Sequence, residues 1–347
     1  METATSYVTG ASQGGDGLSD TFVAKVDAGG TLLWTKQTGG ESESIGYAIT
    51  ADGDGNSYVT GVFGGSAIFG LSETHVTTLD SADSASIFVA KYDADGALAW
   101  AVQTDGSSGS YNAGYGIAVD GDGNSYVTGA FEGAATFGPN ETNLTILSSA
   151  GGVDIVVAKV DPDGALLWAK QAGGASTDNG AGIAVDGSGN SYVTGSFEGT
   201  ATFGPDEANV TPLTSAGGAD IFVAKVDAGG ALLWAKQAGG ASADNGYGIG
   251  LDGNGNGYVT GQFQGAATFG LGATDTIAST GVADIFVAKY GAATPLAVTL
   301  GYVYAEPRDE AIFFQWQTAV SYTHLTLPTK EDEWRSRWGG GESGGGG

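Results

Sequence analysis

Two short turns place oxygen-bearing side chains at alternate positions. Asp52, Asp54 and Asn56 lie in the string Asp-Gly-Asp-Gly-Asn, and Asp120, Asp122 and Asn124 lie in a second copy of it. Alternating oxygens are what a calcium ion, a hard cation, takes as ligands. Two later turns, 186–190 and 252–256, keep only one carboxylate each. An EF-hand loop would carry Gly at its sixth place and Glu at its twelfth, where the second turn has Ser125 and Phe131, so that class is excluded. Asp, Asn and Gly also suit a tight turn, because they supply positive φ and bonds from side chain to backbone, and this turn reading is the stronger. Calcium is thus the one cofactor these residues offer, and none is required.

Other candidates are few. Asp20, Asp154, Asp220 and Asp284 each stand five residues before a lysine, at Lys25, Lys159, Lys225 and Lys289. A ring of ligand-binding lysines is one reading. Pairing with some of the many carboxylates, to satisfy charge between packed sheets, is the expected one, because one position repeated in every copy is what packing produces. Glu73, His75, Asp80 and Asp83 gather in a single variable segment, residues 73–83, where general acid-base chemistry on a glycoside would need a pair of carboxyl groups. Trp34, Trp100, Trp168 and Trp234, with Phe131, Phe197 and Phe263, could form sugar platforms but are expected in the core. There is no Cys, and His75 and His324 are the only histidines, so disulfides and zinc-thiolate sites are excluded.

The chain has 347 residues and a formal charge of -27, from 12 Lys and Arg against 39 Asp and Glu. That imbalance excludes a nucleic-acid binder. A hydrophobic share of 41% is too high for a disordered acidic chain, and no apolar run approaches the ~18 residues of a membrane span.

What positions the candidates is a repeat. SYVTG occurs at Ser6, Ser57, Ser125 and Ser191, with GYVTG at Gly257, so that Tyr58, Tyr126, Tyr192 and Tyr258 are 68, 66 and 66 residues apart. FVAK or a close variant ends at Lys25, Lys91, Lys159, Lys225 and Lys289, and four tryptophans follow nine residues after the first four of these. Each unit shows two pairs of short β-rich runs around Asp/Gly/Asn turns, hence four strands in two hairpins. The segment between the second and third strands, residues 197–218 in one copy, is expected to be a variable loop. Five copies of a four-stranded unit predict an all-β fold, a β-propeller of four-stranded blades with ~66-residue repeats, incomplete at both ends. The first copy lacks the GIAVD strand and the last lacks LLWAKQ, so blade number stays open, with five the minimum.

The strings GIAVDGSGNSYVTGSF and DIFVAKVDAGGALLWAKQAGG resemble the SBBP family of bacterial β-propeller repeats, over about residues 1 to 290. The resemblance implies an extracellular or cell-surface propeller and no particular reaction. Residues 1–291 are therefore assigned to propeller repeats. Residues 292–319 are assigned to a linker and the start of a second β module, since 295–319 resemble the opening of a C-terminal module of type IX secretion in Bacteroidota. Residues 320–347 resemble a translated sequencing adapter ending in a glycine run, and are set aside as a non-native tail. The expected function is a secreted or cell-surface binding or adhesion module without catalysis, its partner an extracellular polymer or protein, with neither nucleic acid nor a membrane span involved. The alternative is a carbohydrate-active propeller enzyme, hydrolase or lyase, using blades outside this sequence or the 73–83 segment.

Overall fold

The structure, a computed structural model, describes residues 5–13, 19–40, 42–107, 109–139, 141–270 and 275–290, and the backbone of strands 301–308 and 311–318. The proposed tail at 320–347 lies outside the described residues. Every regular element among them is a strand.

The unit at 179–240 shows the pattern. An inner strand, Asn179–Val185, pairs with a second, Ser191–Phe197, this with a third, Asp220–Val226, and this with an outer strand, Leu232–Gly240, all antiparallel. Inner strands recur at Ser44–Ala51, Asn112–Val119 and Asn245–Leu251. The first unit enters at a second-type strand, Thr5–Gln13. In the last unit the outer place is taken by Gly301–Arg308, which joins the third strand at Val287 and pairs along its length with Ala311–Thr318.

The near-continuous apolar third strands follow from burial on both faces. Successive side chains of a strand point to opposite faces. Ile155 and Val157 accordingly enter the core shared with the following unit, while Val156 and Ala158 enter the core shared with the preceding one. Units are thus packed face to face, and each hydrophobic core lies between two of them.

The segment at 197–218, expected as a loop, is largely a β-hairpin. Thr200–Phe203 pairs with Thr211–Thr214, and also adds to the end of the preceding unit's outer strand through Ala172 opposite Phe203. That outer strand would otherwise present open N–H and C=O groups at a sheet edge. Ala201 and Phe203, two residues apart, point into the core and are fully buried. The apolar pattern spans only four residues, too short to signal a strand before its partner is known. In the two earlier units the same hairpin runs on from longer strands, Ser57–Phe69 with Thr77–Tyr92 and Ser125–Phe137 with Thr145–Val160.

Phe203→Ala should therefore destabilise the full chain by about 3–5 kcal/mol, as expected for an aromatic ring lost from a packed core. Urea unfolding followed by circular dichroism measures it, and a loss below ~1 kcal/mol would show the hairpin to be peripheral to the fold.

Candidate functional site

The calcium candidates come first. In each turn the leading aspartate bonds its own loop: Asp52 Oδ1 accepts from the N–H groups of Asp54 and Asn56 at 3.0 and 2.9 Å, and Oδ2 accepts from Asn56 Nδ2 at 2.8 Å and Tyr58 at 3.1 Å. Asp120 repeats the set with Asp122, Asn124 and Tyr126. Although partial burial pushes the other way, these bonds hold both carboxyls below the usual pKa. Asp54 and Asp122 are exposed at the turn tips. The donors aimed at Asp52 and Asp120 would face any cation directly. Among the described residues no three His, Cys, Asp or Glu side chains gather closely enough to hold a metal ion.

The turn aspartates are tied to a row of side chains that crosses each sheet. Tyr126, Lys159 and Trp168 stand opposite one another on the second, third and outer strands. Lys159 Nζ lies 4.8 Å from the Tyr126 ring centre and 3.8 Å from Asp120 Oδ2, and the tyrosine and tryptophan rings meet edge-on at 6.2 Å. Lys225 and Lys289 likewise pair with Asp186 and Asp252, at 3.4 and 3.7 Å. The lysine partners are these turn residues, not the aspartates five positions earlier.

The row then reaches the next unit. Trp34, Trp100 and Trp168 donate through Nε1 to the carbonyls of Ala94, Pro162 and Ala228, and Lys25 and Lys91 donate to the first two of these. Tyr7, Tyr58 and Tyr126 point their hydroxyls at Gly55, Gly123 and Gly189 of the following turn. Phe131, Phe197 and Phe263 are buried in the cores. None of these aromatic rows is an open platform.

The 73–83 segment divides. Glu73 pairs with Lys36 at 2.8 Å and accepts from the Leu98 N–H at 2.7 Å, while Glu207 repeats both contacts and Glu141 the second. His75 and Asp80 are exposed, and the Asp83 side chain lies outside the described residues. No acid-base pair is assembled there among the described residues.

The buried acids are elsewhere. Asp154 and Asp178 are fully buried, as are Asp220 and Asp244. Asp178 accepts from the N–H groups of Glu198 and Gly174, and Asp244 from those of Gln264 and Gly240. Asp154 and Asp220 use one oxygen, for Ala150 and Ala216, and leave Oδ1 without a partner. Burial raises the pKa of Asp154 and Asp220 to about 6, and burial with the nearby Asp154 raises that of Asp178 to about 7. The repeated strings Gly-Gly-Ala-Ser-Thr-Asp-Asn-Gly and Gly-Gly-Ala-Ser-Ala-Asp-Asn-Gly, at 173–180 and 239–246, carry Asp178 and Asp244 and were the available sequence signal.

One exposed group was not visible as a site in the sequence. Each inner strand has a bulge where pairing skips one residue: Tyr47, Tyr115, Ala181 and Tyr247 in turn. The bulge brings a carbonyl against the facing strand, so a β-carbon on Gly61, Gly129, Gly195 or Gly261 would collide with it. That is why the last residue of the SYVTG or GYVTG string is glycine in the four units that have an inner strand. Bulges re-aim side chains. Here they bring the rings of Tyr47 and Tyr115, on neighbouring units, to 5.3 Å, with the Tyr111 and Tyr115 hydroxyls 2.9 Å apart. Tyr47, Tyr111 and Tyr247 keep 42%, 38% and 53% of their surface exposed. The signal was the middle residue of Gly-Tyr-Ala, Gly-Tyr-Gly, Gly-Ala-Gly and Gly-Tyr-Gly, a tyrosine in three of the inner strands and alanine in the fourth.

Comparison with known proteins gives the repeat its family. The SBBP family, described as a β-propeller repeat, matches at residues 33–62, 167–196 and 233–262. The chain carries SBBP β-propeller repeats. It is also 25% identical over 298 residues, 73% of its length, to an uncharacterized WD repeat-containing protein, L264, of Acanthamoeba polyphaga mimivirus. The chain spans 22% of that relative's length. Each SBBP match includes an outer strand and the following inner strand, so each contains one bulge position, at Tyr47, Ala181 or Tyr247.

The buried and turn carboxylates differ in their response to pH and to calcium. A carboxyl raised above its unfolded value binds more protons in the folded state, so its burial opposes folding above its folded pKa and is relieved as pH falls. Melting temperature should therefore rise from about pH 8 to pH 5, across the values of Asp178, Asp154 and Asp220. Asp154→Asn should raise the melting temperature at pH 8 and flatten that rise; an unchanged pH profile would show that Asp154 is not protonated in the fold. For the turns, calcium at matched ionic strength should leave the melting temperature where chelator leaves it. A calcium-dependent increase abolished by Asp52→Asn and Asp120→Asn would return both turns to the status of ion sites.

Proposed function

We propose that this chain is a non-catalytic binding scaffold, secreted or displayed at a cell surface, that holds an extracellular polymer or partner protein. The observation that carries this reading is the division between its polar groups. The tyrosines, lysines and tryptophans that recur in the repeats reach carbonyls of the next unit, and the turn aspartates are held by bonds within their own unit. The exposed tyrosine cluster on the inner strands is not part of that framework.

The family supports a scaffold, since propellers present variable residues on a repeated frame. The 73–83 segment gives little support to a carbohydrate-active enzyme, because Glu73 has the same packing role as Glu207. Strong acidity suits an extracellular role by charge alone. On the hairpin strand at 145–148 Ile146 is exposed, so a second contact surface is available there.

The test is retention of the full chain on purified polymers, neutral glucans, mannans, polyuronates and collagen, with release of reducing ends followed in parallel. Retention on at least one polymer without release is the expected result. Release of reducing ends would establish an enzyme, and failure to be held by any polymer would overturn the scaffold.

A further inference from the structure

The inner-strand tyrosines have a geometry that selects a ligand. Tyr47 and Tyr115 come from successive units, yet their bulges set the rings 5.3 Å apart at an interplanar angle of 45°. Tyr111, just before its inner strand, adds a third phenol, 2.9 Å from that of Tyr115. The result is a shallow surface with apolar ring faces, a hydrogen-bonded polar edge and access from solvent.

Its charge environment narrows the choice. Burial first, then the neighbouring phenols, raise the pKa of Tyr47 and Tyr111, the latter to about 12. At Tyr58 and Tyr126 burial and then carboxylates raise the pKa, whereas at Tyr115 burial and Tyr47 raise it against the lowering effect of the bond with Tyr111. The lysines paired with turn or hairpin carboxylates lie in the rows and outer strands, away from these bulges. Glu132, exposed and with its N–H donating to the Tyr111 carbonyl, puts a carboxylate beside the cluster, so an anion finds no counter-charge there among the described residues. A neutral ligand with an apolar face to lie on a ring and hydroxyls to exchange bonds with phenols and a carboxylate fits these groups, and a cation is the competing occupant that the charged probe tests. A pyranose ring has both, with C–H groups on its faces and O–H groups around its edge.

We propose that Tyr47, Tyr111 and Tyr115 form a binding site for a neutral glycan, each ring covering one face or edge of a sugar residue. This rests on the scaffold reading and gives it a ligand class. Tyr247 occupies the same bulge two units farther on, and Ala181 in the unit between leaves the intervening place without a ring. The site is thus strongest where two adjacent units both carry tyrosine.

Calorimetric titration of the full chain with cellohexaose, mannohexaose and maltohexaose tests the proposal, with trigalacturonate and choline as charged probes. At least one neutral oligosaccharide should bind. Tyr47→Ala and Tyr115→Ala should each weaken it about tenfold, roughly the loss of one stacked ring. Ala181→Tyr should tighten it, since this substitution fills the empty place with the residue its neighbours carry. Melting curves establish that each variant is folded, and the gain expected of Ala181→Tyr does not depend on the alanine variants folding. The proposal is overturned if no neutral oligosaccharide binds, if binding ignores all three substitutions, or if only a charged probe binds. Retention on collagen or polyuronate without response to neutral sugars would remove this ligand and leave the scaffold standing. Release of reducing ends would remove the scaffold itself.

Discussion

Each sheet is held to the next by a row of tyrosine, lysine and tryptophan that ends on backbone carbonyls of the following unit. The row combines ring contact, a cation over a ring and charge-assisted bonds, all partly withdrawn from water, where such contacts are worth most. It fixes the sequence around it. The turn that receives the tryptophan carries Gly96, Gly164 or Gly230, whose φ is positive and whose missing β-carbon leaves room for the indole. The matching turn begins with an aspartate that accepts from its own unit's tyrosine at Asp52, Asp120 and Asp252, and pairs with the lysine at Asp120, Asp186 and Asp252.

Because these groups are repeated, their chemistry is structural. A net charge of -27 on a chain with 12 basic residues would leave many carboxylates unpaired whatever the fold. The structure places most of its lysine charge in the rows and on the outer strands, beside Glu73 and Glu207. Among the described residues two pairs of aspartates are then buried without a cation, near the two crossings from an outer strand to the next inner strand at 174–179 and 240–245. Their backbone donors order the crossing, but the unpartnered oxygens of Asp154 and Asp220 work against folding while ionised. The residues that stabilise the sheets and the exposed tyrosines thus occupy different positions. The bulge on the inner strand is a fixed backbone feature, and the residue on it is free to change.

Much of this was legible in the sequence. The recurrence of SYVTG, FVAK and LLW gave the unit, its four strands and its all-β class, because strand order in a repeat is set by local alternation and turn chemistry. The turn reading of Asp52 and Asp120 was also local, since each bonds within four residues on its backbone side. The hairpin at 200–214 was not legible, because a four-residue apolar run gains meaning only beside the preceding unit's outer strand. Nor were the lysine partners, which come from a turn some 40 residues earlier rather than from the aspartate five residues before.

By itself, then, the sequence determined the repeat, its strands and its turns, since those rest on periodicity and on what Asp, Asn and Gly do within a few bonds. Only the tertiary structure decided which side chains meet. Tyr47 and Tyr115 are 68 residues apart in the chain and face one another because two bulged inner strands lie side by side. Contacts between units depend on how whole sheets stack, and no spacing along one strand encodes that.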